Sequence, residues 1–142
     1  MSFVIPDSCT DLNLYNIIMF KNIFSLTSLI IPTTVKEIPC CSISLCSNLK
    51  QIIIPTSVTK ICTNTFEYCY ELETLIIPPS VVKIENGAIN PAVKLLILPQ
   101  QFNMTVRERT RIFSRTHNKK ILHIIFQNVK HFIMKTKNSS II

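Results

Sequence analysis

Glycine is nearly missing from this chain: Gly87 is the one glycine in 142 residues. Neither G-x-G-x-x-G nor G-x-x-x-x-G-K can be written, which excludes the usual backbone cradles for nucleotide phosphates. Long apolar runs are missing too. Pro32, Pro55 and Pro78 cut the best candidates short of the roughly 18 to 20 residues a bilayer span requires. The amino terminus, Met1-Ser-Phe-Val-Ile-Pro6-Asp7, lacks the basic region and unbroken apolar stretch of a secretory signal, so a cytoplasmic location is expected. Six cysteines form no C-x-x-C pair, and Cys40, Cys41 and Cys62 give no zinc spacing. No Ser, His and Asp arrangement and no supported carboxylate pair can be assembled. The chain therefore reads as non-catalytic, with no cofactor, metal ligand or small-molecule substrate assigned.

Acidic residues are scarce in one part only. Residues 1–99 balance six Lys against seven Asp or Glu, whereas residues 100–142 carry nine Lys or Arg against Glu108 alone. The overall charge of +7 is thus a property of the tail. Apolar residues make up 47% of the chain and charged ones 16%, ample material for one domain with a core.

The chain is rich in repetition. Leu49-Lys-Gln-Ile52-Ile-Ile54-Pro55-Thr-Ser57-Val58-Thr-Lys-Ile61 is followed by Leu72-Glu-Thr-Leu75-Ile-Ile77-Pro78-Pro-Ser80-Val81-Val-Lys-Ile84. From Pro32 to Pro55, Pro78 and Pro99 the spacing is 23, 23 and 21 residues. A fixed period of this size implies one supersecondary unit stacked on itself, hence a solenoid that binds through an extended surface. Aligned on the prolines, Leu26, Leu49, Leu72 and Val93 form one column, Leu29, Ile52, Leu75 and Leu96 a second, and Ile31, Ile54, Ile77 and Leu98 a third. Ser/Thr, Val and Ile columns follow, with Ile43, Phe66 and Ile89 further on. The β-branched bias and alternation predict strands whose inward columns stack into a continuous core. Proline should end each strand and set a corner, and the Ser/Thr two residues later should bond backbone there or in the next rung. The stretch from Ile61 to Leu72 leaves room for a short helical turn and return. Cys46 and Cys69 share a repeat position that reads as a small buried slot for reduced thiols rather than a bridge.

These residues resemble the BspA-like leucine-rich repeats, whose units read roughly L-x-x-I-x-I-P-x-S-V-x-x-I before x-x-x-x-F-x-x-C. The likeness is visible over residues 26–99, is loose over 3–25, and is not visible in the tail. It implies a right-handed, strand-rich β/α superhelix and a protein that mediates protein–protein recognition, in a family whose members are mostly surface or secreted proteins. The implied organisation is an N-terminal cap with a degenerate repeat over 1–28, repeats over 29–99, and a basic tail over 100–142.

Two candidate surfaces follow. The central strand residues Ile30, Ile53, Ile76 and Ile97 should face away from the inward columns, either as an exposed ridge or beneath a covering element. With Lys50 and Glu73 beside them and Lys60 and Lys83 on the second strand, they are the candidate protein-binding residues. In the tail, Arg107, Arg109, Arg111, Arg115, Lys119 and Lys120 are candidate anion-binding residues for a membrane surface or nucleic acid. The spacing of Ile121, Leu122, Ile125, Phe126, Val129, Phe132 and Ile133 predicts an amphipathic basic helix from about Lys119 to Lys135, either capping the solenoid or lying on a partner. His117, His123 and His131 read as solvated. A fragment of a longer repeat protein is the third reading, given so few rungs.

Overall fold

The computed structural model describes residues 1–10, 12, 23–102, 105–113 and 123–127. Along these, the same hydrogen bond opens every corner. The N–H three residues after each of five corner prolines donates to the proline carbonyl: Cys9 to Pro6 at 2.9 Å, Val35 to Pro32 at 3.2 Å, Val58 to Pro55 at 3.1 Å, Val81 to Pro78 at 3.1 Å, and Phe102 to Pro99 at 3.0 Å. Proline fixes its own φ and brings no donor to the ladder, so the strand ends and the chain turns at one place in each unit. All five donating residues are buried. Phe102 thus continues the repeat beyond Pro99, where the sequence columns cease to be visible.

Between corners the chain forms β1 (Ser2–Val4), β2 (Ser28–Ile30), β3 (Glu37–Ile38), β4 (Gln51–Ile53), β5 (Lys60–Ile61), β6 (Thr74–Ile76), β7 (Lys83–Ile84), β8 (Leu95–Pro99), helix α1 (Val106–Arg111) and β9 (His123–Gln127). The strands pair in parallel as β1-β2-β4, β3-β5-β7 and β6-β8-β9. Register follows the repeat: Phe3 faces Leu29 and Leu29 faces Ile52, Leu75 faces Leu96, and Ile38 faces Ile61, which faces Ile84. Each rung therefore places like beside like, and the columns become the core. Leu26, Leu29, Leu49, Leu72, Leu75 and Leu96 have no exposed surface, and Ile43, Phe66 and Ile89 close the opposite wall.

One ladder is interrupted. Among the described residues no strand pairing joins β4 to β6. The Lys50 N–H reaches Thr27 O at 2.9 Å and the Lys94 N–H reaches Glu73 O at 2.8 Å, but the Glu73 N–H turns back to Glu71 O at 3.0 Å. Ile52, beside this seam, is only half-buried where Leu29 and Leu75 are fully so.

The third side consists of hydrogen-bonded turns rather than the short helical turn expected between Ile61 and Leu72. The backbone explains the difference: Asn64 and Tyr68 are left-handed, at φ 55° and 62°, which no α-helical turn accommodates. The slots recur, with Cys41 (56°), Asn64 and Gly87 (68°) in one and Leu45 (64°) and Tyr68 in the other. Bonds between rungs tie this side together, including Cys41 N–H to Thr63 O at 3.1 Å, Leu45 N–H to Glu67 O at 2.8 Å and Phe66 N–H to Ala88 O at 2.9 Å.

The tail joins the same stack. Helix α1 is capped by Thr105 and Glu108, which hold one another's backbone N–H in a capping box. Beyond it the Ile89 N–H donates to Ile112 O at 2.9 Å, Phe113 bridges Ile89, and Ile112 is buried in the core. Residues 123–127 then form β9, a strand beside β8, so the helix expected from Lys119 to Lys135 is not what these five residues adopt. Ile-Ile-Phe between His123 and Gln127 is a short β-branched and aromatic run that suits either period, and the free edge of β8 offers it a full ladder. The remainder of the predicted helix lies outside the described residues, as does most of the proposed cap from Thr10 to Ser25.

At the corners, the Thr34 hydroxyl donates to Cys9 O at 2.5 Å and the Ser57 hydroxyl to Val35 O at 2.7 Å, each reaching one rung back. Ser80 Oγ, third in the series, is buried without a partner.

Candidate recognition face

Alternation within three-residue strands sets the outer face. In β4 and β6 the residue after the inward one turns outward, leaving Ile53 42% and Ile76 40% exposed, and Ile30 is half-buried in β2. Val4 of β1 is in register with Ile30 and is 61% exposed, so the column begins one rung earlier than the sequence columns show. Its signal was present in Phe3-Val4-Ile5-Pro6, but Pro6 and Pro32 are 26 residues apart and break the period. At ~4.8 Å per rung, Val4 to Ile76 makes a line about 14 Å long.

Ile97 departs from the column. It is 6% exposed, in a strand β8 that runs five residues with β9 along one edge and β6 along the other. Of the four isoleucines read as ridge or covered surface, three are accessible and the last is covered.

Lys50 and Glu73 are both exposed at the entry to β4 and β6, next to the column. The Lys94 ammonium pairs with the Glu73 carboxylate of the preceding rung; both side chains are more than half exposed, so solvent takes most of the pair's worth. Lys60 and Lys83 lie elsewhere, on the second sheet beyond the proline corner. There Lys60 Nζ sits 2.9 Å from Glu37 Oε1 and 3.3 Å from Glu85 Oε1, and Lys83 Nζ sits 3.4 Å from the same Glu85 oxygen.

This network perturbs its members. The hydrogen bond from Cys62 Sγ, at 2.8 Å, and then that from Lys60 hold the Glu37 carboxyl below the ordinary carboxylate value. Burial opposes ionisation of Glu85, but hydrogen bonds from Thr63 and contacts with Lys60 and Lys83 outweigh it and hold it low as well. Contact with Glu37 first, and with Cys62 next, raises Lys60. Burial, then Glu37, pushes the Cys62 thiol up to about 12. Cys40, Cys62 and Glu85, from three successive rungs, bring two sulfurs and a carboxylate oxygen within 4.8 Å of one another. Sequence spacing conceals this group because each member lies a full turn of the coil from the next. Cys46 and Cys69 are buried thiols with no disulfide between them; burial lifts them to about 11 and about 12, and Cys69 Sγ donates to Ile43 O at 3.2 Å.

Of the basic candidates, Arg107, Arg109 and Arg111 fall on α1, with Arg107 and Arg111 exposed. Arg115, Lys119 and Lys120 lie outside the described residues, as do His117 and His131. No helix among the described residues is long and apolar enough to cross a membrane.

The repeat geometry has a counterpart among solved structures. A leucine-rich cell surface protein from Faecalibacterium prausnitzii A2-165 superposes with a TM-score of 0.68 at 18% identity, over 93% of this chain and 34% of that one. The likeness is one of fold, and this chain spans about a third of that protein's length. No curated protein matches the sequence. A family model for the BspA type leucine rich repeat region matches residues 13–135 in six copies, extending through the tail in which no repeat is visible by eye. With that match, and with parallel strands, proline corners and stacked leucine and isoleucine columns in register among the described residues, the chain belongs to the BspA-type leucine-rich repeat family.

Proposed function

We propose that this chain is a non-catalytic module that recognises a protein partner through the outer face of β1, β2, β4 and β6, with Val4, Ile30, Ile53 and Ile76 as its apolar line. Leucine-rich repeats of this type are generally protein-interaction modules, and the reading adds the surface that does it. The observation that carries it is the outward line of four β-branched side chains, with Val4, Ile53 and Ile76 exposed and Ile30 half-buried, over inward neighbours that are buried or partly buried in the core. An apolar line with Lys50 and Glu73 beside it fits a partner segment presenting apolar side chains between charges of both signs.

Two pairs of variants test it by affinity capture from the native source, with retained partners identified by mass spectrometry. Ile53→Lys with Ile76→Lys should remove a retained protein while far-UV circular dichroism stays unchanged, and Val4→Lys, at the most exposed of the four, should weaken the same interaction. Arg107→Glu with Arg111→Glu should leave that protein bound. If the arginine pair abolishes capture and the isoleucine pair does not, binding belongs to the basic tail. Cytoplasmic location goes with this reading, since a reducing compartment keeps thiols such as Cys46 and Cys69 reduced. Surface display, as on the structural neighbour, is the alternative, and cell fractionation separates the two.

A further inference from the structure

The second sheet gathers more chemistry than a solenoid corner requires. We propose that Cys40, Cys62 and Glu85 form a binding site for a thiophilic divalent cation of the zinc class. Two sulfurs and a carboxylate are a donor set that such ions take in preference to magnesium or calcium. Their donor atoms lie within 4.8 Å of one another, against roughly 3.8 Å between sulfurs each about 2.3 Å from a zinc ion. The remaining approach is within reach of a rotamer change at the exposed Cys40.

The coil, not a loop, holds these donors. The Cys62 N–H donates to Ile38 O at 3.0 Å and the Glu85 N–H to Ile61 O at 2.9 Å, so the second and third donors ride on neighbouring rungs in register. Thr63 restrains Glu85 further, with its N–H and hydroxyl donating to Oε2 at 3.2 and 3.1 Å and leaving Oε1 toward the cationic side. Such outer contacts orient a ligand before the ion arrives. Glu37, whose Oε1 is 2.8 Å from Cys62 Sγ, offers a fourth donor.

Charge supports the exchange. With both thiols protonated, Glu37 and Glu85 balance Lys60 and Lys83. A divalent ion that displaces the two thiol protons into solvent forms two metal–sulfur bonds, transfers no electrons and leaves the group neutral again. In the meantime the Lys60 ammonium spans the two carboxylates and stands in for the cation. Entry is from the Cys40 side, which is open to solvent.

The test is a cobalt titration of the full reduced chain, with zinc as competitor. One ion per chain should bind and produce an intense near-ultraviolet thiolate-to-cobalt absorption that zinc removes. Cys40→Ser, at an exposed position that leaves the circular dichroism unchanged, should weaken binding at least tenfold. Glu85→Gln should weaken it by a similar factor and keep the absorption, while Cys41→Ser should change nothing. Absence of the band at one equivalent would overturn the proposal, and so would a band undiminished in Cys40→Ser or binding in Glu85→Gln as tight as in the parent chain.

Discussion

Lys60 Nζ on β5 lies 2.9 Å from Glu37 Oε1 on β3, an ion pair formed across one turn of the coil rather than along a strand. Glu37 and Glu85 both have folded pKa values below the ordinary carboxylate value of 4.5. Their ionised forms therefore stabilise the fold above that value, and the contribution disappears as pH falls through the depressed folded values. The raised Lys60 works the other way: its contribution is complete below its unfolded value and is lost only as strongly alkaline pH passes the folded one. Urea midpoints measured against pH should fall on the acid side, and Lys60→Met should make that fall shallower. An acid limb of unchanged steepness in the variant would contradict the pairing.

Gly87 shares its left-handed slot with Cys41 and Asn64, which carry β-carbons there, so room for a side chain exists. Gly87→Ala should then cost the conformational term alone, about 1 to 2 kcal/mol, and Gly87→Asn distinctly less. Equal denaturation midpoints for parent and alanine variant would sink this account.

The hydroxyls of Ser57 and Ser80 occupy one repeat position with different fates. Ser57→Ala loses a bond to Val35 O and leaves that carbonyl short of a donor, a loss of about 1 kcal/mol. Ser80→Ala removes a buried oxygen that has no partner and should be neutral or slightly stabilising. Chemical denaturation of the two single variants distinguishes them, and a larger loss at Ser80 would show the assignment wrong.

Depth in the coil should govern the cost of losing an apolar side chain. Leu75→Ala and Ile112→Ala, both in the core, should each cost about 2 to 5 kcal/mol. Ile53→Lys on the outer face should stay within about 1 kcal/mol. The Ile112 result also tests whether the tail supports the repeats: a change near zero would mean the stack ends before α1.

Much of this was legible because a stacked core forces like residues into register. Leu29, Leu75 and Leu96, the proline corners and the Val58 slot all follow from the period alone. What escaped depended on partners a turn or more away. Ile97 carries the same side chain as Ile53, and nothing in the repeat distinguishes the buried one from the exposed one. His123–Gln127 fits helical and strand spacing alike, and pairing with β8 settles it. The left-handed slots were hidden because Cys41, Leu45 and Tyr68 are not residues that announce such a backbone. Glu85 joined Cys40 and Cys62 through the stacking of rungs, which no local motif records.

Because the proline corner returns the chain to the same place after each period, the molecule is divisible in whole turns. Excising residues 49–71 would set Leu72 upon Leu26 and Pro78 upon Pro32, with every later residue keeping its place relative to its successor. Length then becomes a quantity separate from fold, and a lineage could lengthen or shorten the surface it offers in steps of one rung. Such a splice would exchange the β2–β4 and β3–β5 pairings for equivalent ones from β2 to β6 and from β3 to β7.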